Sequence, residues 1–163
     1  MEGILHSMDG GQELRVLLYR HDTFGLGHLR RSRTIAAAPT DVAADNSALI
    51  VTGPPIAGRF DFFERIDYLR LPGVVKLAAD RNSALNLAMP IDEMVSLRGA
   101  IISATAREFA PHLVIVDKEA WGFRNELSET LQILRKAGSR IVLGIRDVLD
   151  DEDALTEEWE RKN

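Results

Sequence analysis

Short apolar runs alternate with amphipathic stretches along this chain, and the alternation predicts most of its secondary structure. Five runs have the length and the apolar, β-branched composition of buried strands. The run 113–117 is apolar until it reaches Asp117, which is typical of a parallel strand covered on both faces. The predicted strands are residues 14–19, 48–52, 66–71, 113–117 and 140–145.

Apolar residues that recur at helical spacing predict helices between these strands. The helix predicted at 91–109 carries five such residues, and the helix predicted at 125–136 carries three leucines on one face, with Gly138 as its cap. A further helix is predicted at 29–38. The two apolar stripes are Met94, Leu97, Ile101, Ala104 and Phe109, and Leu127, Leu131 and Leu134.

The order of these elements predicts the fold class. Strands and helices alternate, so we expect an α/β domain with a Rossmann-like, doubly wound parallel sheet. The polar, irregular stretch 74–90 interrupts the alternation and is predicted to be a long loop. The length of 163 residues fits one such domain. We predict a tail at 1–13, the domain at 14–151, and an acidic helix or linker at 152–163.

Composition narrows the possible functions. The chain has no cysteine, which excludes disulfides and thiolate metal sites. No apolar run approaches the roughly 20 residues of a membrane span. The net charge of −5 comes entirely from residues 147–163, which contain eight carboxylates and two basic side chains, because the rest of the chain carries a net charge of +1. No basic face with interleaved aromatic residues is present, so we predict no nucleic-acid partner.

The turn between the first strand and the first helix is a candidate anion site. Backbone N–H groups at a helix N-terminus have no partner within the helix, and the helix dipole is positive there. Gly25 and Gly27 would let a ligand approach this backbone closely. His28 at the helix start would stay neutral, as a general base must. Arg30 would add charge-assisted donors to a diphosphate or a sugar phosphate.

In a doubly wound sheet, ligands bind outside the carboxyl ends of the strands. This rule adds Asp117, which ends the fourth predicted strand, and Arg146, which follows the fifth, to the candidate substrate-binding residues. Each candidate also has a purely structural interpretation. Gly25 and Gly27 could only shape a turn, His28 could be an ordinary helix residue, and the charged side chains could only pair or face solvent.

The common cofactor and catalytic motifs do not fit. A dinucleotide site needs a small residue where Arg30 stands and a carboxylate after the second strand, where Thr52 and Gly53 stand. A Walker motif, a nucleophile elbow and a paired-histidine metal motif are all absent from the sequence. We therefore predict no cofactor and no metal.

Three stretches resemble a known family. The sequence from Phe24 to Arg31, FGLGHLRR, resembles the N-terminal glycine loop of GT-B glycosyltransferases. The stretches 111–117, PHLVIVD, and 142–151, VLGIRDVLDD, resemble two later runs of the same domain. Together they resemble the predicted family 28 enzymes related to the N-acetylglucosaminyltransferase of peptidoglycan-precursor synthesis. The resemblance covers nearly the whole chain from Arg15 onward.

This resemblance implies two Rossmann-like domains around a cleft, of which the chain corresponds to the N-terminal, acceptor-binding one. The donor would be a nucleotide-sugar, with UDP as the expected nucleotide, held by a C-terminal domain or a separate subunit that nothing here resembles. His28 would be the catalytic base, and Gly25, Gly27, Arg30, Asp117 and Arg146 would bind substrate.

Two further expectations follow from the family. Its enzymes act in the cytoplasm, and lipid-linked acceptors would bring the protein to the inner face of the membrane, with the stretch 74–90 as the contact. The alternative to a glycosyltransferase half is a non-catalytic α/β module that binds an anion or a nucleotide.

Overall fold

A computed structural model describes residues 13–20, 26–54, 63–78 and 81–145 of the chain. The predictions made for 1–12 and 146–163, including the tail and the acidic C-terminal helix, lie outside these residues. The seven strands are β1 Arg15–Tyr19, β2 Ser47–Thr52, β3 Ile66–Arg70, β4 Val74–Ala78, β5 Arg81–Ala84, β6 Leu113–Asp117 and β7 Arg140–Gly144. The three α-helices are α1 Leu26–Val42, α2 Ile91–Phe109 and α3 Ser128–Lys136, and a short 3-10 helix spans Phe123–Asn125.

The main sheet has five parallel strands in the order β3-β2-β1-β6-β7. The chain runs outward from β1 through β2 to β3, and then returns to place β6 on the other side of β1. This is the strand order of a doubly wound sheet, so the predicted α/β fold class is confirmed.

Each face of the sheet is covered by helices, which explains why the strands are apolar on both sides. Val16, Leu18 and Ile50 are buried with Ala36 of α1 on one face. On the other face, Leu17, Tyr19 and the buried residues of β6 pack with α2 and α3. Burial at about 25 cal/mol per Å² of apolar surface makes these two layers the main source of stability.

The stretch 74–90 differs from the prediction. It is not one long loop, because β4 and β5 pair as a two-stranded antiparallel sheet, with Val74 opposite Ala84 and Lys76 opposite Asn82. Polar residues of low strand propensity in β5 hid this hairpin from the sequence pattern. The hairpin holds its strands together by backbone pairing rather than by a repeat of apolar side chains.

Helix α1 begins earlier and ends later than predicted. It includes Gly27 and His28 in its first turn, and it continues through Pro39 to Val42. Pro39 has no N–H, so one intrahelical hydrogen bond is missing near the end of α1.

Helix α2 has the predicted bounds but buries a different face. Its buried residues include Met94, Arg98, Ile102 and Ala106, which recur every four residues. Leu97 of the predicted stripe is 38% exposed and Ala104 is exposed, so the stripe is wrong at these two positions. Its other members are confirmed, since Met94 is buried and Ile101 and Phe109 pack against the core. The predicted stripe of α3 is confirmed, with Leu127 and Leu134 buried and Leu131 packed against them.

The two edges of the main sheet differ in character. On β3, Asp67 and Arg70 are exposed, whereas Ile141 and Leu143 of β7 are 39% and 43% exposed. No second strand pairs with β7 within the described residues. None of the helices described is both long and apolar enough to span a membrane.

Candidate functional site

The point between β1 and β6, where the strand order reverses, is the first candidate for a ligand site. From β1 the chain crosses to β2 through α1, whereas from β6 it crosses to β7 through α3 on the opposite face. The two connections therefore diverge between β1 and β6 and leave a crevice at the carboxyl ends of these strands. Open α/β sheets bind their ligands at this switch point.

At this carboxyl edge, one residue at the end of each strand, or directly after it, lies in register with its neighbours. Thr52 pairs with Arg70 in β3, and Asp117 pairs with Gly144 in β7. Arg20 follows Tyr19, whose partners on either side are the residues before Thr52 and before Asp117. We call these five residues the carboxyl-edge row: Arg70, Thr52, Arg20, Asp117 and Gly144.

The middle of this row faces α1. Side chains alternate along a strand, and Leu18 and Ile50, two positions before Arg20 and Thr52, pack on the α1 side. Arg20 confirms this direction, since its Nη1 donates to Ser32 Oγ of α1 over 3.4 Å. The polar end of the sheet therefore lies beneath the first turns of α1.

Arg20 and Asp117 form an ion pair across the switch point. Arg20 Nη2 lies 3.2 Å from Asp117 Oδ2, and the two side chains are 3% and 14% exposed. Removing charges from water is costly, and a partner of opposite charge offsets that cost. The pair joins β1 to β6 and leaves the crevice floor close to neutral.

Thr52 is the unusual member of the row. Its side chain has no exposed surface, and its Oγ1 has no hydrogen-bond partner among the described residues. A buried hydroxyl without a partner costs about 1–3 kcal/mol. Such groups are rare in native proteins and point to a function or to a bound molecule.

The N-terminus of α1 lies at the same edge, because the helix follows β1 directly. Leu26 is its first residue, and Gly27 and His28 lie in the first turn, so their backbone N–H groups belong to the unpaired start of the helix. The side chains of His28 and Arg30 lie outside what the structure describes, as do Gly25 and Arg146 altogether. The proximity of Asp117 to Arg20 is therefore the observed part of the predicted site.

A second charged cluster lies on the other face of the sheet, beneath the same edge. Arg98 of α2 donates from Nε to Glu126 Oε2 over 2.6 Å and from Nη2 to Glu126 Oε1 over 2.7 Å. Its Nη1 donates to the carbonyl of Pro72 over 2.6 Å. The Tyr19 hydroxyl donates to the same carboxylate. The side chains of Arg98 and Glu126 have no exposed surface.

Burial and the pairing of charges shift the pKa values of this cluster. Burial raises the pKa of Tyr19 far above its ordinary value, and the negative charge of Glu126 raises it further. Burial by itself would lower the pKa of Arg98, but the hydrogen bonds and charge of Glu126 outweigh it and raise the pKa. Tyr19 and Arg98 therefore keep their protons, and the cluster is a structural brace rather than an acid–base pair.

The brace fixes the connection from β6 to α3. Tyr19 Oη accepts a hydrogen bond from the Phe123 N–H over 3.1 Å, while the Leu127 N–H donates to the Trp121 carbonyl over 3.0 Å. Gly122 has φ +71°, and a Cβ there would lie 2.8 Å from both Tyr19 Oη and a Leu127 carbon. Only glycine fits this position. The connection thus holds Trp121, which is 56% exposed, at the carboxyl edge.

Sequence analysis did not identify Arg98 and Glu126. The one available signal was that Arg98 stands four residues after Met94 and four before Ile102, within a buried stripe. Polar residues are counted as exposed when helical faces are assigned from hydropathy. A buried ion pair is therefore invisible to this method.

A cavity of about 550 Å³ lies at the opposite, amino edge of the sheet. Arg15, Arg107 and Arg140 line it, together with the ends of α2 and α3 at Ala110 and Ala137. Arg15 Nε donates to the Ala110 carbonyl over 3.2 Å. Cations stabilise helix C-termini in this way, so Arg15 has a structural role there, and the switch point remains the candidate site.

Comparisons with known proteins give one structural similarity. No protein-family model and no curated protein matches this sequence. The chain is similar to a UGT transferase from Siraitia grosvenorii, whose crystal structure was solved in complex with UDP, at 13% identity and a TM-score of 0.46. The match covers 79% of this chain, which spans about 27% of the length of that protein. A similarity of this extent does not determine an activity.

Proposed function

We propose that this chain is the acceptor-binding half of a glycosyltransferase of the GT-B type, related to family 28. It would transfer a sugar from a nucleotide-sugar, with UDP as the expected nucleotide, to a hydroxyl of the acceptor. A donor-binding domain or subunit would complete the enzyme. The observation that carries the proposal is the switch point, where the first turn of α1 begins beside the Arg20–Asp117 pair. The glycine-histidine motif of that turn supplies the chemistry.

In the proposed reaction, His28 takes the proton from the acceptor hydroxyl. The acceptor oxygen forms a bond to the anomeric carbon of the donor sugar, and the bond from that carbon to the diphosphate breaks. The nucleoside diphosphate leaves with the electron pair, and unpaired N–H groups at helix N-termini stabilise its charge. No cofactor or metal is needed to balance this step.

The substrate-binding residues would divide the acceptor between them. Gly25 and Gly27 would admit a phosphate to the backbone of α1, and Arg30 would donate to it. Arg146 would face the cleft towards the donor half. Asp117 is held by Arg20 through one oxygen, so its proposed role is to accept a hydrogen bond from the acceptor rather than to remove a proton.

A non-catalytic module that binds an anion or a nucleotide is the second candidate. The observation that favours it is the burial of the Arg20–Asp117 pair. Arg20 and Asp117 neutralise each other, and such an arrangement can bind a ligand without transferring a proton. The two candidates differ in whether a sugar is transferred once a donor half is present.

Titration of the chain with a UDP-sugar, with a lipid-diphosphate mimic and with NAD tests the proposal. The acceptor-binding half should bind the lipid-diphosphate mimic more tightly than NAD, and binding of NAD alone would refute the proposal. Sugar transfer by the chain completed with a donor half then separates the two candidates, because a non-catalytic module would show none. Full turnover by the His28→Ala variant of that enzyme would remove His28 from the mechanism.

The inner face of the cytoplasmic membrane is the proposed place of action, because the acceptors implied by the family are lipid-linked. Peripheral contact through residues 74–90 is part of this proposal. Sedimentation of the chain with phosphatidylglycerol vesicles, with and without a lipid-diphosphate mimic in the bilayer, tests it. Recovery of the chain in the supernatant of both samples would contradict the contact.

A further inference from the structure

We propose that Thr52 and Asp117 bind hydroxyl groups of the ligand whose anionic part lies at the N-terminus of α1. The ligand class is a phosphorylated sugar or polyol. This inference rests on the proposed function for the identity of that ligand as the acceptor. It assigns a role to Thr52, which the proposed chemistry does not otherwise use.

The first support is the unpaired hydroxyl of Thr52. It is buried at the carboxyl end of β2, on the face covered by α1, and next to Arg20 in the carboxyl-edge row. Its Oγ1 has no partner within the described part of the chain. A ligand hydroxyl would supply the missing hydrogen bond, since a hydroxyl both donates and accepts.

The second support is the free side of Asp117. Arg20 engages Oδ2 at 3.2 Å, and no described residue donates a hydrogen bond to Oδ1. A Cβ built on Gly144 would lie 3.5 Å from Oδ1, so the absence of a side chain at Gly144 keeps space beside that oxygen. An ionised carboxylate accepts strong hydrogen bonds from hydroxyl donors.

The charges at the middle of the row, where Arg20 and Asp117 lie, favour hydroxyls over phosphate. Arg20 balances Asp117 and is only 3% exposed, so it offers little free positive charge to an anion. A phosphate placed against Oδ1 would be repelled by the carboxylate. The phosphate is therefore expected at the N–H groups of α1, with the neutral hydroxyls of the same ligand over Thr52 and Asp117.

Thr52→Val is the decisive variant, because it replaces the hydroxyl with a methyl group of nearly the same shape. Removal of an unpaired buried hydroxyl should raise the thermal unfolding midpoint, by about 2–4 °C. The same change should weaken glucose 1-phosphate binding about tenfold, by one lost hydrogen bond. If Thr52 had only a structural role, the substitution would not raise the unfolding midpoint while weakening the affinity for glucose 1-phosphate.

Two further variants isolate the contacts. Thr52→Ser keeps the hydroxyl and should keep the affinity for glucose 1-phosphate within about twofold. Gly144→Ala places a methyl group in ordinary contact with Asp117, so the domain should fold normally. This methyl group would obstruct a ligand at Oδ1 and should weaken the same affinity without altering the ion pair.

Calorimetric titration with glucose 1-phosphate and with inorganic phosphate gives the test. We expect tighter binding of glucose 1-phosphate, with Thr52→Val and Gly144→Ala weakening it while phosphate binding stays unchanged. Equal binding of both ligands by all variants, or loss of stability in Thr52→Val, would overturn this inference and leave the anion site intact. Binding of neither ligand would overturn both the inference and the anion site. Variant-dependent binding without sugar transfer by the completed enzyme would refute only the proposed function.

Discussion

Replacing Arg98 with methionine should cost far more stability than its place on a surface helix suggests. Methionine keeps the apolar stem but removes two hydrogen bonds to Glu126 and one to the Pro72 carbonyl. The carboxylate of Glu126 would then be buried with the Tyr19 hydroxyl as its remaining described partner. Removing one member of a buried ion pair costs about 3–5 kcal/mol. Since domains are stable by about 5–15 kcal/mol, Arg98→Met should remove about a quarter or more of the free energy of unfolding.

Urea denaturation followed by circular dichroism measures this loss, and the chain contains a matched control. Arg107 and Glu129 make an ion pair of the same 2.6 Å length, but their side chains are 50% and 67% exposed. Arg107→Met should therefore change the free energy of unfolding by about 0.5 kcal/mol or less. The two variants compare a buried, bidentate ion pair with an exposed pair of the same shortest distance.

The double variant Arg98→Met/Glu126→Gln completes the cycle. It removes both charges, and it should be more stable than Arg98→Met alone because no unpaired charge stays buried. A loss of less than about 1 kcal/mol in Arg98→Met would refute the reasoning. So would a double variant as unstable as the sum of the two single ones.

Three other predictions address neighbouring features. The pKa of Tyr19 is raised in the folded protein, so the unfolded chain loses the phenolic proton first as the pH rises. The contribution of Tyr19 to the free energy of unfolding is therefore complete below about pH 10 and declines above it by about 1.4 kcal/mol per pH unit. Urea titrations at pH 9 to 11 should show this decline for the unaltered chain and not for Tyr19→Phe. Gly122→Ala should lower the unfolding midpoint by more than Gly138→Ala, since both have positive φ but a Cβ meets atoms at 2.8 Å only at Gly122; equal losses would contradict the clash. Asp117→Asn should cost about 1–3 kcal/mol in urea denaturation, because the buried Arg20 then loses the Asp117 carboxylate, and an unchanged midpoint would show that the pair contributes nothing.

The fold could be predicted from the sequence where apolar runs dictate it. The strand 113–117 was found residue for residue, and α2 was found with its bounds, because burial on both faces and helical spacing leave strong patterns. The hairpin β4–β5 was missed because Arg81, Asn82 and Ser83 have low strand propensity. Their pairing depends on backbone contacts to β4, which a single segment does not reveal.

The candidate site could likewise be predicted only in part from the sequence. Asp117 could be nominated because it ends a strand, and the rule for carboxyl ends applies to any doubly wound sheet. The sequence shows Thr52 only as the residue at the position where a dinucleotide site has a ribose-binding carboxylate. The burial of its hydroxyl depends on the tertiary structure. The partnership of Asp117 with Arg20 depends on strand order. The periodicity of a sequence indicates where strands lie along the chain, but it does not indicate which strands become neighbours in the sheet.

The unequal edges of the main sheet have a practical consequence for handling the protein. The edge at β3 bears charged side chains that discourage pairing with other chains. Among the described residues, no strand pairs with the outer side of β7, where Ile141 and Leu143 are exposed. Association in concentrated solution should therefore begin at β7. Leu143→Lys would place a charge on β7 and should prevent this association. Sedimentation velocity should then show a monomer at concentrations where the unaltered chain self-associates. This single substitution is the first to make before crystallisation.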